Sequence, residues 1–163
     1  MRGLFREWKT GANLRDEGGL DQPAVVQLSD DSVLAFFRST QAKGIIMKSV
    51  STDGGLVWSN PEPTEFPNPE AAISLERLRN GNLVLVYNNS PKNRFPLSVA
   101  MSADDGKTWP WKRDIETDPF DFSYPCVMQS SDGLIHVSYT YKRINIKYAT
   151  FNEAWIMQGR NKK

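Results

Sequence analysis

The chain has 163 residues, 39% of them hydrophobic, and a formal net charge of +1, enough for one domain with a real apolar core. Twenty Lys and Arg balance nineteen Asp and Glu, which leaves no electrostatic footprint for nucleic acid or an anionic membrane surface. No apolar run approaches the roughly 20 residues of a membrane span, and Met1–Trp8 lacks the apolar stretch of a signal peptide, so the compartment stays open.

Taken in chain order, the first twenty residues read as the tail of a preceding repeat that ends near Trp8. Ala24–Leu28 and Val33–Phe37 are expected to pair as strands around an Asp31-Ser32 turn, with Arg38 closing the second. The segment Ser51–Trp58 reads Ser-Thr-Asp-Gly-Gly-Leu-Val-Trp. A Pro-rich stretch over 61–69 reads as a connection. Ile73–Leu78 and Leu83–Tyr87 then pair around Asn80-Gly81. Ser102–Trp109 reads Ser-Ala-Asp-Asp-Gly-Lys-Thr-Trp, and a second Pro-rich connection covers 110–125. Val127–Gln129 and Leu134–Tyr139 pair around Asp132-Gly133. Thr150–Trp155 is a degenerate copy of the Ser-x-Asp-x-Gly-x-x-Trp pattern. Cys126 is the one cysteine and His136 the one histidine, so no internal disulfide forms and no zinc site of the usual kind is expected. Cys126 reads as a small core residue, and His136 as a packed or edge residue sharing a face with Leu134, Ser138 and Thr140.

The two intact boxes start 51 residues apart, and the tryptophans at 8, 58, 109 and 155 follow at intervals of 50, 51 and 46. A period near 50 with several short strands is the signature of a propeller blade of about four strands. Val33–Phe37 and Leu83–Tyr87 are apolar at nearly every position. A strand in an open sheet would alternate, whereas a blade is covered on both faces by its neighbours. The sequence therefore predicts an all-β chain with almost no helix. Its segments are a tail over 1–20 and blades over 21–66, 67–118 and 119–163. Within each box, the Asp carboxylate and Ser hydroxyl tie the N–H groups of a tight turn, Gly supplies a positive φ, and Trp58 and Trp109 bury a large apolar area on the blade. The box specifies a fold and no chemistry.

Two boxes in register with the strand repeat resemble the sialidase (neuraminidase) superfamily, in its BNR/Asp-box-repeat branch. Three segments carry the resemblance: Asp21-Gln22-Pro23 through Phe37-Arg38-Ser39, Asn88 through Arg94 into the second box, and Phe122-Ser123-Tyr124-Pro125 through Tyr139-Thr140-Tyr141. It implies a six-bladed propeller with its site at the centre, of which this chain supplies about three blades. Arg38 and Arg94 then resemble the second and third arginines of a clamp on the substrate carboxylate, which a guanidinium fork matches bidentately. Tyr124 resembles the tyrosine nucleophile, a departure from the carboxylate of most glycosidases. A neutral phenol avoids the repulsion that the carboxylate on the anomeric carbon would exert on Asp or Glu, but it needs a base.

In the family that base is a glutamate at the start of the strand carrying the second arginine. Gln22 stands there, and an amide cannot take a proton. Either Asp21 is the acid or the chemistry differs. The family's first arginine and acid/base aspartate have no counterpart in this sequence.

The leading reading is a glycoside hydrolase of the exo-α-sialidase type acting on terminal acidic sugars, incomplete as it stands. The alternatives are another carbohydrate-active enzyme for uronic-acid glycans, or a non-catalytic glycan- or protein-binding propeller. The expected partner is a carbohydrate bearing a carboxylate, with self-association through uncovered blade faces. Nucleic acid, membrane, metal and other cofactors are not expected.

Overall fold

The structure, a computed structural model, describes residues 9–40 and 44–159. Trp8 lies outside the described residues. Among them, three antiparallel sheets follow one another along the chain. The first holds β1 (Leu20–Gln27), β2 (Val33–Ser39), β3 (Ile45–Ser51) and β4 (Glu62–Pro67). The second holds β5 (Ser74–Arg77), β6 (Leu83–Asn88), β7 (Leu97–Ser102) and β8 (Trp111–Glu116). The third holds β9 (Phe122–Gln129), β10 (Ile135–Tyr141) and β11 (Asn145–Phe151), after which a five-residue helix, α1 (Glu153–Met157), follows. Strand order within each sheet is sequence order, so every sheet is a meander. The sheets meet through their first strands, β1 against β5 and β5 against β9. This is the blade arrangement of a partial β-propeller, with the first strand of each blade toward the axis.

The hairpins form where turn residues interrupt the apolar runs. Leu28, Leu78 and Ser130 each donate a backbone hydrogen bond to the carbonyl four residues on, at Ser32, Asn82 and Leu134. The pairings follow, with Gln27 opposite Val33, Arg77 opposite Leu83 and Gln129 opposite Ile135. Alternation along β6 then explains its burial at every position. Leu83, Leu85 and Tyr87 enter the core shared with the first sheet, beside Leu34, Phe36 and Phe66. Val84 and Val86 enter the core shared with the third, beside Phe122, Val127 and Val137. Each such side chain contributes about 1.5–3 kcal/mol relative to exposure, so the middle blade is held from both sides.

Both boxes form the turn the sequence predicts. Ser51 Oγ donates to Asp53 Oδ1 at 2.8 Å and accepts from Gly55 N–H at 2.9 Å, while Leu56 and Val57 N–H donate to Asp53 Oδ1 at 3.0 and 2.9 Å. In the second box, Ser102 Oγ donates to Asp104 Oδ1 at 2.7 Å and Thr108 donates to Asp104 from both N–H and Oγ1, at 2.9 and 2.6 Å. Gly106 has φ +79°, and a Cβ there would approach Leu34 Cδ2 to 3.1 Å, so glycine serves both turn and packing. Each tryptophan donates from Nε1 to the box glycine carbonyl, at 3.0 and 3.1 Å.

Four expectations need correction. Trp109 is buried in the core between the first two sheets, but Trp58 is only half-buried. The first box lies on the outer side of the first sheet, where Trp58 meets Ala35, Phe37 and Leu14 rather than a second blade. The Pro-rich stretches are not mere connections. They contain β4 and β8, and Pro63 and Pro67 are tolerated because β4 is an edge strand. The third sheet has three strands among the described residues. Where the other sheets carry a box turn, Asn152 instead caps α1, its side chain accepting from Trp155 N–H at 2.9 Å. Cys126 is exposed. Its neighbours Pro125 and Val127 point inward, so the alternation of β9 turns Cys126 to the outer face of the last blade.

Candidate functional site

Antiparallel strands separate the two kinds of motif. Arg38 lies at the end of β2 and the first box follows the end of β3, so they occupy opposite ends of one sheet. The same holds for Arg94, just before β7, and the second box, just after it. Gln22, Arg38, Arg94 and Tyr124 therefore share the end away from the boxes.

At that end the two arginines converge. Arg38 Nη1 donates to the carbonyl oxygen of Glu70 at 3.0 Å, and Arg94 Nη2 donates to the same oxygen at 3.4 Å. Arg38 also meets Asp21, with Nε donating to Oδ2 at 3.1 Å and Nη2 in close contact. Arg94 Nη1 donates to Ser123 Oγ at 3.1 Å, and its guanidinium carbon stands 5.7 Å from the centre of the Tyr124 ring. Tyr124 is 55% exposed. Gln22 borders Asp21, whose Oδ1 accepts its N–H at 2.8 Å, and Gln22 Oε1 is a buried oxygen without a hydrogen-bond partner. Such an atom costs about 1–3 kcal/mol.

The carboxylates here are held ionised. The hydrogen bond from Arg38, and then that from Gln22 N–H, holds the Asp21 carboxyl below its usual range. Asp21 is thus tied to an arginine and is a poor proton acceptor at neutral pH, which weakens its candidacy as the acid beside Tyr124. Burial works against ionisation of Asp121, yet hydrogen bonds from Ser123 and Arg143 leave its pKa lowered. Arg143 itself points mostly to solvent and pairs with Asp121 at 2.8 Å.

Two residues that sequence reasoning missed complete this end. Glu70 supplies the oxygen on which the arginines meet. Buried Asn68 fixes the loop that carries it, with Nδ2 donating to Ala71 O and Oδ1 accepting from Ala71 N–H, both at 2.9 Å. The only sequence signal was the turn-forming Asn-Pro pair at 68–69. A cleft of about 460 Å³ opens beside Arg94, between Lys92–Phe95 and Pro119–Asp121. His136 stays outside the site. It lies in β10, hydrogen-bonded to Tyr148 Oη and, at 2.6 Å, to Ser130 Oγ. Among the described residues, no group of three or more His, Cys, Asp or Glu is placed to hold a metal ion.

Residues 3–137 match the family model described as BNR repeat-like domain. A sialidase of Micromonospora viridifaciens is 31% identical over 165 residues, which cover 93% of this chain and 24% of that protein. Among solved structures, the intramolecular trans-sialidase of Ruminococcus gnavus superposes with a TM-score of 0.76 at 20% identity, over 96% of this chain and 37% of its own. The NanB sialidase of Streptococcus pneumoniae gives 0.77 at 18% identity, over 93% and 26%. The chain thus spans about a quarter of the length of the curated relative it matches.

Proposed function

The chain belongs to the BNR repeat-like domain family, and from that premise we propose that it supplies part of the active end of a glycoside hydrolase of the sialidase type, acting on terminal acidic sugars. The observation that carries this reading is the convergence of Arg38 and Arg94 on one carbonyl oxygen, that of Glu70. A sugar carboxylate arriving beside that oxygen meets two guanidinium groups already turned toward an acceptor, which lowers the cost of organising the clamp. Tyr124, with Arg94 near its ring face, is the nucleophile. Its O–H bond breaks with the proton passing to a general base, its oxygen forms a bond to the anomeric carbon as the glycosidic C–O bond breaks, and the departing oxygen takes a proton from a general acid of the complete propeller.

One observation favours a second reading, a propeller that binds acidic glycans without cleaving them. Gln22 occupies the place of the base, and its amide cannot accept the phenol proton. Binding and turnover are measured separately. N-acetylneuraminic acid and its methyl ester are titrated into the chain and followed by NMR. The acid binds more tightly than the ester. Arg94→Lys, which loses the bidentate fork, weakens binding of the acid about tenfold or more and leaves that of the ester unchanged. Equal binding of acid and ester by the native chain would remove the carboxylate clamp. Turnover of a fluorogenic sialoside by a complete propeller carrying this segment, abolished by Tyr124→Phe, selects the hydrolase over the binding module.

A further inference from the structure

The cleft beside Arg94, of about 460 Å³, is large enough for a small ligand. One wall is the loop before β7, from the second blade, and the other is the segment before β9, from the third. Two hydrogen bonds tie the walls together. Phe122 N–H donates to Arg94 O at 3.1 Å, and Arg94 Nη1 donates to Ser123 Oγ at 3.1 Å. The cleft is therefore preformed. On the first wall, Ser90 Oγ accepts from the N–H groups of Lys92 and Asn93, at 3.2 and 3.0 Å, and so fixes the turn that presents both side chains. On the second, Phe120 is 43% exposed. Lys142 Nζ stands over its ring, 3.7 Å from the centre, and steadies it. The charge here is unbalanced. Asp121 is the one carboxylate lining the cleft among the described residues, and it is committed to Ser123 and Arg143. Lys92 is exposed, and neither it nor Lys142 has a carboxylate partner among the described residues.

We propose that this cleft is a second sugar subsite, and that Lys92 pairs there with a negative charge on the sugar to which the terminal acidic sugar is linked. This rests on the sialidase-type reading of the site. Arg94 belongs to both places, since its guanidinium reaches the Glu70 carbonyl and also lines the cleft. A terminal sugar held by its carboxylate at the clamp therefore lies beside the cleft, and the next sugar is the group that enters it. The exposed Phe120 ring receives the apolar C–H face of that sugar, and Asn93 offers an amide to its hydroxyl groups. An uncharged sugar would gain these contacts and leave Lys92 to water. A carboxylate or a sulfate ester would add an ion pair. The substrate class that fits is a glycan whose last two sugars both carry a negative charge.

The test titrates the ¹⁵N-labelled chain with four probes and follows binding by NMR. They are N-acetylneuraminic acid alone, and the same acid linked to galactose, to galactose 6-sulfate, or to a second N-acetylneuraminic acid. The two doubly charged probes bind about two- to fivefold more tightly than the galactose probe, the range of an exposed ion pair, and the advantage shrinks as salt is raised. Lys92→Met abolishes the advantage and Lys92→Glu reverses it, while neither alters affinity for the single sugar. Phe120→Ala weakens all three disaccharides and spares the single sugar. An advantage confined to the sulfate or to the second acid supports the subsite and names its anion. Equal affinity for charged and uncharged disaccharides, or an advantage that survives Lys92→Met, overturns the subsite and leaves the clamp standing. Equal binding of N-acetylneuraminic acid and its methyl ester removes the clamp instead, and the comparison of disaccharides in Lys92→Met still decides the cleft. No binding of any probe overturns both.

Discussion

Replacing Trp109 by alanine is expected to cost far more stability than replacing Trp58, although both occupy the last position of an intact box. Trp109 is 6% exposed. Its ring lies edge-on to Phe66 with centroids 5.3 Å apart, and tilted to Phe36 at 5.9 Å. Truncating a buried tryptophan costs about 3–5 kcal/mol, and loss of two aromatic contacts, each about 0.5–1.5 kcal/mol beyond area burial, places Trp109→Ala toward the upper part of that range. For a domain of this size, where about 1 kcal/mol moves Tm by 2–4 °C, the shift is about 8–20 °C. Trp58 is half-buried against the outer side of the first sheet, and we expect about 1–2 kcal/mol for its truncation, from partial burial at about 25 cal/mol per Å². Both variants lose the Nε1 hydrogen bond to the box glycine, so that contribution cancels in the comparison. Urea unfolding followed by far-UV circular dichroism measures both changes. Equal losses, or a Trp109→Ala loss under about 1.5 kcal/mol, would refute the claim that the second box is an inter-blade anchor and the first a surface turn.

Two further outcomes follow from the same packing. Hydrogen bonds from Thr108, with a smaller contribution from Ser102, lower the Asp104 pKa to about 2, while an unfolded aspartate titrates near about 3.9. A depressed native pKa contributes stability that is present above the unfolded value and lost as pH falls through the native one. Urea midpoints of the native chain should therefore drop between about pH 4 and about pH 2, and Asp104→Asn should flatten that window. The outer face of the last blade exposes Cys126, Met128, Ile146 and Tyr148 beside the edge strand β11. Sedimentation should show concentration-dependent association of the chain, reduced by Ile146→Lys. A monomer at all concentrations would show that this face is no interface.

The fold was legible because two periodicities agree. The boxes repeat at about the interval of the apolar runs, and runs such as Leu83–Tyr87, apolar at every position, have one economical explanation in a blade covered on both sides. What the repeat concealed was context. Trp58 and Trp109 have the same local motif and different exposure, because burial depends on packing against the preceding sheet, which Trp109 has and Trp58 lacks among the described residues, and no single box records that. Cys126 was assigned to the core because cysteine is most often buried, and nothing in the sequence marks the outer face of β9. At the site, arginine at the end of an apolar strand was a usable signal. Arg38 lies beside buried Phe37 and needed a partner, which it has in Asp21 and the Glu70 carbonyl. Glu70 was not legible, because its clearest part in the clamp is a backbone oxygen and a positive φ, neither of which the residue type announces.

The division between the two ends of each blade explains how a repeat protein keeps a strained site. The box end is satisfied locally. Its Ser, Asp and Gly close a turn from within eight residues, and in the second box Ser29 of the preceding blade also donates to Asp105 from its N–H at 3.2 Å. The opposite end is satisfied across blades. Arg38 reaches from the first blade to Glu70 of the second, and Arg94 reaches from the second to Ser123 of the third. Asn88 Nδ2, also from the second, donates to Phe122 O of the third at 3.0 Å. Gln22, Glu70 and Tyr124 at this end all have a positive φ, and together they cost several kcal/mol. The inter-blade cores around Phe66 and Phe122 supply that stability from outside the site. A change at a box residue should therefore lower stability with little effect on ligand binding in the molecules that remain folded. A change at Arg38, Glu70 or Arg94 should alter binding and the angle between neighbouring blades together, since the hydrogen bonds that orient the clamp are the same ones that join the blades.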